Sequence, residues 1–124
     1  MNIAQQQPSG ASLSDILTAI KNLVTALNTV ATDYLNVQGQ SSRCNITVPT
    51  VLKTTAGRVC QVVVVGAGTA AGYIYDGNTV ASTTNVIWEI PTTVGDEPYI
   101  VNMPTSTGIN VVPGAGQSVT VSYS

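Results

Sequence analysis

Residues 12–39 read SLSDILTAIKNLVTALNTVATDYLNVQG, and the spacing of the apolar residues in this stretch decides what the chain can be. Leu13, Ile16, Ile20, Leu23, Leu27, Val30, Tyr34 and Val37 recur at intervals of 3-4-3-4-3-4-3. The alternation averages 3.5 residues, the period that keeps one seam of an α-helix facing a partner helix instead of drifting around the cylinder. These side chains are the expected oligomer interface. Ser12 can accept a hydrogen bond from an unpaired first-turn N–H, and Asp15 suits both the capping-box position and the positive end of the helix dipole. Gly39 supplies the stop, because it takes the left-handed conformation without a Cβ clash. The segment 12–39 is thus expected to be a coiled-coil helix, with Leu13 to Gln38 forming a rod of roughly 38 Å.

Such a helix is weak in isolation. Thr18, Thr25, Thr29, Thr32, Asn22, Asn28 and Asn36 are indifferent helix formers, and only Asp15, Lys21 and Asp33 carry charge. Its stability must come from burial. Leu17, Val24 and Ala31 flank the seam on one side and Ala19 and Ala26 on the other, where a two-stranded coil usually places Glu and Lys. The widened apolar face predicts more than one neighbouring helix, and hence a homotrimer. The alternative is a helix that folds back onto its own β domain, as amphipathic helices commonly do.

On either side of this stretch the pattern changes. Residues 1–11 are polar, include Gln5-Gln6-Gln7-Pro8-Ser9-Gly10, and read as a flexible arm. From Cys44 onward the apolar period drops to two. Strands are predicted at Ile46 to Lys53, Arg58 to Val65, Tyr73 to Asp76, Asn85 to Ile90, Tyr99 to Met103, Ile109 to Val112 and Ser118 to Tyr123, each bounded by Gly, Pro, Asn or Asp. Val119, Val121 and Tyr123 share one face, as do Val86, Trp88 and Ile90. Asp76-Gly77-Asn78 is a strong turn signal. Pro91, Pro98, Pro104 and Pro113 fall at strand ends, where a missing N–H costs least. The expected fold is mainly β: an N-terminal α-helix, the stem of a trimeric coiled coil, followed over residues 44–124 by a small antiparallel β-sandwich.

Composition removes several functions. Charged residues make up 8% of the 124-residue chain, against about 25% in an ordinary soluble domain, and histidine and phenylalanine are absent. A net charge of -2, with only Lys21, Arg43, Lys53 and Arg58 as cations, offers no field able to neutralise a run of phosphates. Neither nucleic acid nor a membrane is an expected partner. The opening MNIAQQQPSGAS lacks a basic and then apolar leader, and no apolar run approaches the roughly 18 residues a bilayer span needs, so synthesis in the cytoplasm is expected. Cys44 and Cys60 fall on what read as neighbouring strands. A disulfide is conceivable, but two buried thiols acting as small hydrophobes are preferred. Without histidine they make neither a four-ligand zinc site nor a Cys-His dyad.

Other apparent motifs lose force on inspection. Gly66-Ala67-Gly68-Thr69-Ala70-Ala71-Gly72 resembles a dinucleotide-binding loop, but Tyr73-Ile74-Tyr75-Asp76-Gly77 follows as strand and turn, leaving no room for the helix that would hold a pyrophosphate. No cofactor is expected. Asn45-Ile46-Thr47 matches a glycosylation sequon, a short pattern frequent by chance. Asp96 and Glu97, with Asp76 or Glu89, could form an acid pair for glycoside cleavage, although nothing in the sequence brings two of them into an apolar cleft. Trp88, Tyr73, Tyr75, Tyr99 and Tyr123 could stack on sugars, but aromatics at strand positions more often serve a core or a subunit interface. No catalytic or metal-ligating residue emerges, and the chain does not read as an enzyme.

Thr54-Thr55-Ala56-Gly57-Arg58-Val59, Gly68-Thr69-Ala70-Ala71-Gly72-Tyr73-Ile74-Tyr75-Asp76-Gly77, Ile90-Pro91-Thr92-Thr93-Val94-Gly95 and the ending Ser106 to Ser124 resemble small virion proteins of tailed bacteriophages. The likeness covers about residues 50–124. It implies a β domain displayed on the virion behind a short coiled-coil stem, as a head fibre or capsid decoration subunit bound to the major capsid protein or another virion protein. Such families bring no catalytic residues to carry over. A receptor- or glycan-binding tail-fibre module, contacting the host through Trp88, the tyrosines or the Asp96-Glu97 loop, is the competing expectation, and a depolymerase the third.

Overall fold

The computed structural model describes residues 9–124, with side chains from Ser12 onward. One helix, α1 (Ser9–Gln38), precedes eight strands: β1 (Ser41–Ile46), β2 (Thr50–Lys53), β3 (Gly57–Gly66), β4 (Gly72–Asp76), β5 (Val86–Ile90), β6 (Tyr99–Thr105), β7 (Ile109–Val112) and β8 (Ser118–Tyr123). The strands form two four-stranded antiparallel sheets, in the orders β1-β8-β3-β6 and β2-β7-β4-β5. This is the expected β-sandwich, with one strand more than expected. The chain divides into a helical unit ending at Tyr34 and a sandwich unit covering 35–124.

α1 starts earlier than the capping signals imply. Ser12 lies inside the helix instead of capping it, no acidic residue occupies the first turn, and Asp15 sits in the second. The arm expected over 1–11 is thus helical at 9–11, and its remainder lies outside the described residues. At the other end the expectation holds. Gly39 adopts φ 95, and its N–H donates to the Leu35 carbonyl at 2.8 Å, closing the last turn with a left-handed cap.

The core is built from β-branched side chains. Ile46, Val59, Val62, Val64, Val119 and Val121 from the first sheet meet Ile74, Ile90, Ile109 and Val111 from the second, and all are buried. Leu52, Ile87, Trp88, Tyr99, Val101 and Tyr123 close the periphery. With no phenylalanine available, close packing of these small stiff residues takes the place of large aromatic volume.

Several local readings are corrected by pairing. The strand expected over Ile46 to Lys53 is two strands in different sheets. Asn45 adopts φ 53 and donates its N–H to Thr120 Oγ1, producing a bulge in which Cys44 and Asn45 oppose one residue of β8; after Ile46 the chain crosses to β2 through Pro49. Pro104 does not end a strand. It lies within β6 opposite Arg58, tolerated because β6 is an edge. A second bulge places Val101 and Asn102 opposite Cys60, with Asn102 at φ 47. Val86, Trp88 and Ile90 do not share one face, because the register shift at Ile87 leaves Val86 exposed while Ile90 is buried.

Candidate functional site

The seam residues sit where the period requires. Leu13, Ile16, Ile20, Leu23, Leu27, Val30, Tyr34 and Val37 fall within the continuous 30-residue helix, and their exposure ranges from 42% at Val37 to 66% at Leu13. Leu17 and Val24, on the flank, are also about half exposed. A fully buried aliphatic side chain hides on the order of 100 Å². The ten seam and flank side chains, 42–66% exposed, therefore leave on the order of 500–1,000 Å² of apolar surface per chain in water, comparable with the about 800 Å² that one partner brings to a standard interface.

The other face of the helix is polar and self-satisfied. The hydroxyls of Thr25, Thr29 and Thr32 donate to the carbonyls of Lys21, Thr25 and Asn28 at 2.9–3.0 Å. Threonines otherwise poorly suited to a helix are thereby accommodated without a tertiary partner.

The last helical turn belongs to the sandwich unit and is tied into it. The Asn36 carbonyl accepts Ser124 Oγ at 2.7 Å and the Cys60 thiol at 3.1 Å, and the Gln40 N–H donates to the Tyr123 carbonyl. A Cβ at Gly39 would stand 3.1 Å from Ser122 Cβ and 3.4 Å from Cys60 Cβ, a tight fit added to the strain that φ 95 imposes on any other residue.

No disulfide joins the cysteines. Cys44 is exposed and Cys60 buried, correcting the expectation of two buried thiols, and β8 lies between their strands. Burial raises the Cys60 pKa, against weaker opposing pulls from the Ser124 hydroxyl and Arg58.

The glycine-rich loop has no amides to offer a phosphate at Gly68 and Thr69. Their N–H groups donate to the carbonyls of Thr92 and Ala115, both at 2.9 Å. Beside it the buried Gln117 accepts the Gly114 N–H and donates to the Pro91 carbonyl, fastening the β5–β6 and β7–β8 connections together.

Asp76 is the carboxylate with a built environment, and its role is one the sequence reading missed. Oδ2 accepts the Ser106 N–H and hydroxyl at 2.9 and 2.8 Å, while Oδ1 accepts the N–H groups of Thr107 and Gly108 at 2.8 and 3.2 Å. Its pKa is lowered to about 2, chiefly by the Ser106 N–H, with burial opposing and the Thr107 N–H, Ser106 hydroxyl and Gly108 N–H adding to the effect. A carboxylate so committed holds the β6–β7 connection and has no oxygen free for acid-base work. Its only sequence signal is the Ser-Thr-Gly run at 106–108, thirty residues away.

Asp96 and Glu97 line an open hollow of about 510 Å³ with Gly95, Pro98, Tyr99 and Ile100. Trp88 packs against Tyr99 with ring centroids 5.3 Å apart, and both rings rest on the core, as the interior reading of the aromatics expects. Among the described residues no group of three His, Cys, Asp or Glu could hold a metal ion, and no helix is long and apolar enough to cross a membrane. Among the described residues, most of the exposed large hydrophobic side chains lie on α1.

No protein-family model, curated protein sequence or solved structure matches the chain.

Proposed function

We propose that the chain is a non-enzymatic structural protein of a tailed-bacteriophage virion, a homotrimer whose helices form a stem and whose sandwiches form a knob, attached to the capsid surface as a head fibre or decoration subunit. The observation that carries this reading is the apolar seam of α1, regular at 3-4 spacing from Leu13 to Val37 and exposed along its length. Apolar surface of that extent is stable in water only when covered. A Thr- and Asn-rich polar surface with few charges supports the same reading, because identical subunits can crowd on a symmetric shell with little like-charge repulsion. Weak individual attachments then multiply through avidity.

The test is stoichiometry. Purified protein added to particles assembled without it should bind in a fixed ratio set by capsid symmetry, and densitometry of virions against the major capsid protein should give tens to hundreds of copies. A low copy number, with the protein lost when tails are sheared off, would overturn placement on the head and favour a receptor- or glycan-binding tail module.

A further inference from the structure

The two flanks of the helix seam differ in bulk, and the difference has a direction. On one side, five residues ahead in the chain, stand Leu17, Val24, Ala31 and Gln38; on the other stand Ser12, Ala19, Ala26 and Asp33. In a parallel, in-register coil each residue of the second flank lies beside the residue five positions later on the neighbouring helix. That geometry pairs Ser12 with Leu17, Ala19 with Val24, Ala26 with Ala31 and Asp33 with Gln38.

We propose that the partner of α1 is a second copy of the same helix, parallel and in register, with the bulky flank of each chain closing over the small flank of the next. This inference rests on the oligomeric reading above and adds its orientation. Large residues then face small ones at Leu17 and Val24, the arrangement that fills space without voids. The polar pair falls together at the C-terminal end, where the Gln38 amide can donate to the Asp33 carboxylate of the neighbour. An antiparallel pair instead sets like flank against like, crowding Val24 on one side and leaving Ala19 and Ala26 to face each other across a gap on the other. The head-to-tail contact also repeats around a closed ring, which a trimer requires. The exposed apolar area, on the order of 500–1,000 Å² per chain, is comparable with what one partner brings to such an interface.

Orientation can be read by cross-linking the two ends of the seam, which lie roughly 36 Å apart along the helix. Leu13→Cys and Val37→Cys chains, each carrying Cys44→Ser, are refolded separately and together, treated with a short bis-maleimide, and weighed by sedimentation equilibrium in parallel. The expected result is an oligomer in which Leu13→Cys chains join one another on the order of tenfold faster than they join Val37→Cys chains, because only the former share a layer and a high effective concentration. An oligomer that joins Leu13→Cys to Val37→Cys would overturn the parallel arrangement and leave the oligomeric reading standing. An oligomer showing neither product would place its interface away from the helix and also overturn the inference. A monomer, with the unsubstituted chain monomeric too, would remove both.

Discussion

Ser106 gives both its N–H and its hydroxyl to a single oxygen of Asp76, at 2.9 and 2.8 Å. The pair joins the end of β4 to the turn before β7, two neighbouring strands of one sheet. Close by, a Cβ at Gly108 would crowd the carbonyls of Lys53 and Gly77, so the turn is packed as well as bonded.

Replacing Asp76 with Asn keeps the size but points N–H groups at donors that need acceptors. A hydrogen bond to a charged group is worth about 1.5–3 kcal/mol, and Asp76 is only half buried, so Asp76→Asn should cost about 1–3 kcal/mol. Urea unfolding followed by Trp88 fluorescence measures it. An unchanged midpoint would remove the clamp from the account of stability.

The same carboxylate sets an acid limit. Its folded pKa is lowered from an ordinary 3.8 to about 2, so the stabilisation is fully present above the ordinary value and is lost as pH falls toward 2. Melting temperatures taken between pH 5 and pH 2 should decline mainly below about pH 4, and Asp76→Asn should flatten that decline. An equal slope in the variant would assign the acid sensitivity to other groups.

The thiols should separate by accessibility. Cys44 is exposed and should react with maleimide in the native protein, whereas Cys60 is buried, donates to the Asn36 carbonyl and has a raised pKa, so it should react only after denaturation. Mass spectrometry should show a single adduct before denaturant and two after it, and reductant should leave the melting temperature unchanged. Failure to alkylate either thiol in unfolded, unreduced protein would indicate a disulfide.

Placing Asp at both Ile20 and Leu27 would put unpaired charges into the proposed seam, at a cost of several kcal/mol each. The double variant should sediment as a monomer with its sandwich intact, while Thr25→Asp, on the opposite face, should leave the oligomer unchanged. An unchanged oligomer for the double variant would show that the helix does not hold the chains together.

The helix and its stop at Gly39 were legible in the chain because their causes are local: an apolar spacing of three and four residues, and a residue that accepts φ 95. The strands β7 and β8 were legible from equally local signals, β7 as a short apolar run framed by Gly108 and Pro113 and β8 by the alternation of Val119, Val121 and Tyr123. Alternation alone did not reveal that Ile46 and Thr50 belong to different sheets, that Ile87 shifts register, or that Cys44 is exposed while Cys60 is buried. Each depends on which strand lies alongside, a relation between residues far apart in sequence. The Asp76 clamp is the clearest case. Its composition was visible as an Asp and a Ser-Thr-Gly turn, but folding alone brings four donors to one carboxylate, because side-by-side β4 and β7 carry the ends of distant segments into hydrogen-bond range.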